Sequence, residues 1–155
     1  MKKLLLLKLF ALVAAMMCAL GASAVEAYAC YTPSDGTLTY YCDGQRSTRP
    51  GRTYDLNTDT NDPGWFTDGS REGVLQVVFD PSFASARPTS TCAWFCSMMN
   101  LESITGMSYL NTSEVTHHGL FYSCHHLTSL DLSNFNTSKV TSMEAMFSLF
   151  QFDKS

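Results

Sequence analysis

The sequence predicts a short leucine-rich-repeat solenoid, with parallel strands and short helical or irregular returns, behind an amino-terminal β-rich cap. A phenylalanine recurs every 26 residues, at Phe95, Phe121 and Phe147. The hexapeptide NTSEVT at 111–116 returns as NTSKVT at 136–141. The segment 127–132 reads L-x-x-L-x-L, which together with a period in the twenties is typical of leucine-rich repeats. No single unit buries its apolar face alone, so the units are expected to stack.

The first residues predict a signal peptide. Three lysines precede or interrupt an apolar run that extends to Leu20, and small-x-small cleavage patterns follow at 22–24 and 27–29. We expect residues 1–24 to be removed, with cleavage after residue 29 as the alternative, which leaves no transmembrane span and a secreted or surface-displayed chain. A second alternative is an outer-membrane lipoprotein attached through Cys30.

Charge and cysteine content narrow the partners. Fourteen acidic and seven basic residues remain from Val25 onward, a net charge of −7. A surface of this sign opposes phosphate binding, so nucleic acid is not expected as a partner. Five cysteines remain after Cys18 leaves with the signal peptide, which fits an oxidising compartment, and their pairing is left open.

Residues 30–73 predict a small β-hairpin cap. The alternating segment 38–42 is a predicted strand, and 52–56 is its predicted partner across a basic loop. Arg46, Arg49 and Arg52 are the basic cluster of this cap. They are candidates to contact an acidic partner, although a solvated loop is the simpler interpretation.

Residues 74–150 predict the repeats. Their aliphatic and aromatic residues should fill the core: Val74, Val77, Phe95, Leu101, Ile104, Phe121, Leu127, Leu130, Leu132 and Phe147. The polar runs should turn each unit, because Asn, Ser and Thr side chains bond nearby backbone groups. A short helical turn is expected over 141–147, and residues 151–155 should form a truncated tail whose uncapped end could self-associate.

Polar side chains between the core positions predict a binding face. In two units these are Glu102, Ser103, Thr105, Thr128, Ser129, Asp131 and Ser133. Repeat proteins use such extended faces for recognition.

The cysteines, histidines and acidic residues form no pattern typical of a cofactor site, a metal site or an active site. We therefore expect no cofactor, no metal and no enzymatic activity. A zinc set could be drawn from Cys92, Cys96, Cys124 and the pairs 117–118 and 125–126, but its spacing is not that of common zinc sites. The favoured interpretation is that Cys124 is a small buried residue, that Cys92 and Cys96 pack or pair, and that the histidines face solvent.

Residues 55–66 place Asp or Asn at positions 1, 3, 5 and 7 of a calcium loop. Thr60 replaces the required Gly, and Phe66 replaces the bidentate Glu. An EF-hand is therefore excluded, and a looser carboxylate site stays open beside a plain polar loop. No catalytic motif is present either.

The segments LESITGMSYLNTSEVT and LTSLDLSNFNTSKVTSMEAMF resemble the repeats of BspA-like bacterial surface proteins, and VVFDPSFASARPTSTCAWF resembles the lead into their first repeat. The resemblance implies a non-enzymatic surface protein that adheres to host extracellular matrix or to other cells, through a protein or glycan partner. Two other classes stay open, a structural envelope component and a metal-binding secreted protein.

Overall fold

The structure is a computed structural model that describes residues 24–116, 119–142 and 146. The predicted signal peptide up to residue 23, His117, His118, Phe147 and the tail 151–155 lie outside the described residues. So do most of the helical turn expected over 141–147 and the uncapped end expected to self-associate. In the described part of the chain, no helix has the length and apolarity that crossing a membrane requires.

A mixed five-stranded sheet forms the centre of the fold. Its strands are β1 (Glu26–Thr32), β2 (Thr37–Asp43), β3 (Arg52–Asp55), β4 (Gln76–Phe79) and β5 (Ser103–Thr105). The spatial order is β3-β1-β2-β4-β5, with β1 antiparallel to β2 and β3, and β4 parallel to β2 and β5. Helical structure is limited to α1 (Gly64–Thr67) and to 3₁₀ turns at Arg46–Thr48, Ser70–Gly73, Pro81–Ser85 and Met107–Tyr109.

The predicted leucine-rich-repeat solenoid is therefore wrong. The described residues form one mixed sheet with almost no helix, in place of repeated strand-and-return units. Val77 and Ile104 do pair as parallel neighbours, but Leu130, in the next predicted unit, belongs to no strand and only packs at the edge of the core.

The cap differs from the predicted hairpin because β1 was not recognised. It lies between β2 and β3, so the two predicted strands do not pair with each other. Tyr28 and Ala29 in β1 are fully buried, and Ala29 is paired with Tyr40 on one side and Tyr54 on the other. A chain that began after residue 29 would lack the first half of this interior strand.

Gly36 joins the first hairpin to the rest of the sheet. Its φ of 66° is in the left-handed region, which glycine adopts without steric cost. Its carbonyl accepts hydrogen bonds from Leu75 N at 2.8 Å and Gln76 N at 3.3 Å. A Cβ there would lie 2.7 Å from Leu75 Cγ, so this turn needs glycine to bring β4 alongside β2.

Tyr40 is the centre of the aromatic core. Its ring stacks on Phe79 with centroids 4.7 Å apart and on Trp94 at 4.8 Å, and Trp65 meets it edge-on at 5.8 Å. The indole N–H of Trp65 donates to Trp94 O at 2.9 Å in the buried interior. The predicted cap and the predicted repeat segment therefore share one core.

The repeat appears as hydrogen bonds between loops. Backbone N–H groups donate to carbonyls about one period away, as from Ser97 to Tyr122 O at 2.8 Å and from Thr141 to Thr116 O at 3.0 Å. In the two NTS runs, Thr112 Oγ accepts from Asn136 N at 2.7 Å. The similar hexapeptides therefore lie against each other in register.

The hydroxyl of Tyr40 is buried and has no hydrogen-bond partner among the described residues. An unsatisfied buried polar group is destabilising, so Tyr40→Phe should raise the free energy of unfolding by about 1 kcal/mol. The matched control is Tyr54→Phe, which removes a hydroxyl that donates to Asp68 at 2.8 Å and should lower it by about 1 kcal/mol. Urea unfolding of both variants measures this, and equal destabilisation by the two would contradict the prediction.

Candidate binding surface

The sheet has an open side, opposite the aromatic core. Leu38, Val77 and Ile104 point into the core, and alternation places their neighbours on the opposite side. We call this side of β2, β4 and β5 the outer face. It consists of the buried Thr37 and of exposed or partly exposed residues, which are Thr39, Tyr41, Gln76, Val78, Ser103 and Thr105. It is rich in hydroxyl groups and has one aliphatic side chain, Val78, at its centre.

Strand register makes the outer face continuous across β2, β4 and β5. Thr39 pairs with Val78, and Val78 pairs with Thr105, so these three side chains form one row. In the neighbouring row the Gln76 amide donates to Thr37 Oγ at 2.7 Å across two strands. Strands lie about 4.8 Å apart, so the three strands present a surface about 10 Å wide.

The loop 44–51 borders the outer face along β2. The Arg49 guanidinium lies 3.5 Å from the centroid of the Tyr41 ring, donates to Tyr28 OH at 3.0 Å and pairs with Asp43 at 2.5 Å. Gly51 packs against Cys30 in the centre of β1. The loop thus covers β1 and the Tyr41 end of β2, and it leaves the rest of β2 with β4 and β5 open.

Electrostatics around this loop are internally balanced. Burial raises the pKa of Tyr28 to about 12 and keeps its hydroxyl protonated. Burial alone would raise the pKa of Asp43, but hydrogen bonds from Tyr28 and Gln45 and the charge of Arg49 outweigh it and lower that pKa. Tyr28, Arg49 and Asp43 therefore form a closed set of partners.

The arginines of the predicted basic cluster each have a carboxylate partner within the chain. Arg46 pairs with Asp55 and, at 3.4 Å, with Glu26, while Arg52 pairs with Asp68 at 2.8 Å. An acidic partner that bound this cluster would therefore have to compete with these ion pairs. Neither sequence-based interpretation, an acidic partner or a solvated loop, included ion pairs within the chain.

The predicted binding-face residues lie in two places. Glu102, Ser103 and Thr105 are exposed in or beside β5, and the last two belong to the outer face. Thr128, Ser129, Asp131 and Ser133 are exposed in a loop. There the backbone N–H of Ser133 donates to Asp131 Oδ1 at 2.9 Å and lowers the pKa of that carboxyl group.

The predicted repeat-core residues lie inside the molecule where the structure describes them. Val74, Val77, Phe95, Leu101, Phe121 and Leu127 are buried, and Ile104, Leu130 and Leu132 are partly buried against the same core. Of these, Val77 and Ile104 lie in β4 and β5 and pack on the side of the sheet opposite the outer face.

The loop considered for calcium is organised by an amide. Asn57 donates to Asn61 O at 2.8 Å and to Cys92 O at 3.0 Å, and its carbonyl oxygen accepts from the Trp94 indole at 2.7 Å. Asp59 accepts from the backbone and side chain of Asn61. These groups tie the loop to the core.

The cysteines and histidines considered for zinc form no ligand set in the described part of the chain, where no three His, Cys, Asp or Glu side chains are grouped to hold a metal ion. Cys124 is buried, and its thiol donates to Phe95 O at 3.0 Å. Burial raises the pKa of this thiol to about 12 and also raises that of Cys92, so both are held in the protonated form. His125 and His126 are exposed.

Sequence reasoning missed the contribution of β2 and β4 to this surface. Thr39, Tyr41 and Val78 alternate with core residues, and that period of two was the available signal. Their connection to β5 required the sheet order, which no local pattern contains.

Comparison with known proteins gives one partial match. Residues 88–155 match the profile of a family described as "Mycoplasma protein of unknown function, DUF285". No curated protein and no solved structure matches the chain. The matched segment contains β5 and the loop 127–133, whereas the rest of the sheet lies before it.

Asp68 makes the stability of this region dependent on pH. Burial opposes its ionisation, but hydrogen bonds from Ser70, Tyr54 and Arg52 outweigh burial and lower its pKa to about 2, from 3.8. Because the folded pKa is the lower one, the stabilisation is complete above about pH 5 and is lost as the pH falls through 4 towards 2. We expect Asp68→Asn to reduce the loss of unfolding free energy between about pH 5 and pH 2, called here the acid limb, by roughly 1 kcal/mol. This value allows for solvent screening.

Urea unfolding of both proteins at steps from pH 6 to pH 2 measures the effect. Arg52→Gln is the control, since it removes one partner of the same carboxylate and should flatten the limb in part. Parallel curves for the wild type and Asp68→Asn would contradict the assignment.

Proposed function

We propose that this chain is a non-enzymatic, secreted or surface-displayed protein that binds other proteins on the extracellular matrix or on neighbouring cells through its outer face. The observation that carries the proposal is the open row Thr39–Val78–Thr105 on a rigid sheet, with the core packed directly beneath it. Binding faces on rigid elements lose little conformational entropy on association.

The composition of the outer face supports a protein partner. Hydroxyl and amide groups of Thr39, Gln76 and Ser103 provide hydrogen bonds, Val78 provides an apolar centre, and Tyr41 is fixed under Arg49. Interfaces combine an apolar centre with a polar rim and are enriched in Tyr and Arg. The resemblance of the repeated segments to BspA-like surface proteins supports the same function and the same location.

The size of the outer face supports adhesion through many weak contacts. A surface about 10 Å wide and, at about 3.3 Å per residue along Thr37–Tyr41, about 13 Å long covers on the order of 130 Å². This area is far smaller than the roughly 800 Å² per partner of a stable protein complex. The exposed loop 127–133 enlarges it only in part. We therefore propose micromolar or weaker binding by one molecule, which becomes firm attachment when many copies are displayed on one surface.

The proposal is tested by binding of the purified chain to a panel of soluble extracellular-matrix proteins and to a glycan array. We expect saturable binding to at least one matrix protein. Thr105→Arg should weaken it by about tenfold or more, because the long side chain covers the row. The matched control is Ala84→Arg, which adds the same side chain at an exposed position in the 3₁₀ turn Pro81–Ser85, outside the outer face.

Equal affinity of the Thr105→Arg variant and the wild type would show that the outer face is not the binding site. Binding to glycans alone would replace the protein partner with a carbohydrate one. A purified, folded chain that binds nothing on either panel would contradict adhesion and favour the structural envelope component.

A further inference from the structure

A concave site lies at the end of the sheet where β4 and β5 begin. It has a volume of about 420 Å³ and is lined by Arg71, Glu72, Ser97, Met99 and Asn100. The two segments that form it are tied together, since Asn100 Nδ2 donates to Glu72 O at 2.9 Å and Glu102 N donates to Leu75 O at 2.9 Å. The site is thus part of the folded framework, and none of its lining residues belongs to the outer face.

Arg71 is held in a fixed position at this site. Its guanidinium lies 4.0 Å from the centroid of the Phe66 ring, and one of its N–H groups donates to Phe66 O. Stacking on a ring and a bond to a carbonyl orient the guanidinium plane but leave its charge uncompensated.

Arg71 differs from the arginines of the loop 44–51 and of β3 in its partners. Arg46, Arg49 and Arg52 each pair with a carboxylate, whereas Arg71 forms no ion pair within the described residues, even with the adjacent Glu72. Its Nε is buried and has no hydrogen-bond partner there. That buried Nε is out of reach of a ligand, but the side chain lines the concave site and has no carboxylate partner in the described part of the chain, so its charge can attract an anionic ligand there.

The groups around Arg71 indicate what that ligand carries. A planar guanidinium held in place binds the planar carboxylate group best, through paired hydrogen bonds. Met99, which is 53% exposed, offers an apolar contact beside it, and Ser97 and Asn100 offer polar ones. Glu72, which is exposed, is the one lining group whose charge opposes a carboxylate. We propose that this pocket binds a carboxylate group next to an apolar or sugar-ring moiety, supplied by the carboxyl terminus of a peptide or by a sugar acid.

The whole chain is tested with two pairs of probes that differ only in the carboxylate. One pair is a leucine-terminated tripeptide and its carboxy-terminal amide, and the other is glucuronic acid and glucose. Shifts of the backbone amide signals of Arg71, Ser97, Met99 and Asn100 in NMR titrations report binding. We expect saturable shifts with at least one carboxylate probe. Its neutral counterpart should bind with about tenfold lower affinity or cause no shift.

Variants identify the group responsible. Arg71→Gln should weaken binding by about tenfold, whereas Arg87→Gln should leave it unchanged, since Arg87 also bonds only to backbone carbonyls but does not line the pocket. The pair Met99→Glu and Met99→Gln tests the pocket without touching Arg71. The Glu variant should bind about tenfold more weakly than the Gln variant, because it places a like charge beside the ligand.

Each probe and each variant has an outcome that supports or contradicts the proposed carboxylate site. Binding of the peptide alone or of the sugar acid alone assigns the source of the carboxylate. Equal binding of neutral and charged probes, no shift with any probe, or equal binding by Met99→Glu and Met99→Gln would overturn the proposal. Because Thr105→Arg on the outer face should leave these titrations unchanged, the two binding proposals can fail independently.

Discussion

The stack of Tyr40 between Phe79 and Trp94 is the interaction on which the rest of the structure depends. Tyr40 belongs to the first hairpin, whereas Trp94 belongs to the segment after the fourth strand. Trp65 closes the group with a buried hydrogen bond to Trp94 O. Large aromatic side chains bury much apolar area, so this cluster joins the amino-terminal strands and the carboxy-terminal loops into one core. It also fixes the sheet whose other side is the outer face.

The repeat could be predicted from the sequence, but its secondary structure could not. The spacing of Phe95 and Phe121 corresponds to two rings that lie 5.4 Å apart. Parallel strands form in the first two units, as β4 and β5, but none forms over 127–132. In that unit, polar side chains bond the local backbone instead. Asp131 accepts from Ser133 N and Asn136 accepts from Ser138 N, and such bonds favour turns over a strand ladder. A period of 25 or 26 residues therefore predicts units that stack, but it does not distinguish stacked loops from a solenoid of regular strands and helices.

The missed strand β1 shows a second limit of local patterns. The triplet 27–29 fits a signal-peptidase site, and the same residues alternate between the two sides of a sheet. Only partners distant in the sequence distinguish these interpretations, and Ala29 has two of them, Tyr40 and Tyr54. The candidate surface was predictable for Ser103 and Thr105, which were identified as exposed neighbours of core positions, and unpredictable for the strands that adjoin them.

Charge placement explains how an acidic chain can offer selective sites. A net charge of −7 from Val25 onward repels anions at long range, where screening weakens the effect beyond about 10 Å. Arg46, Arg49 and Arg52 add little attraction, because their own carboxylate partners neutralise them. An anion is therefore attracted only at contact distance, where the attraction depends on the geometry of its hydrogen bonds with the chain. Binding by this chain should consequently depend on the shape and hydrogen-bonding groups of a partner more than on the partner's total charge.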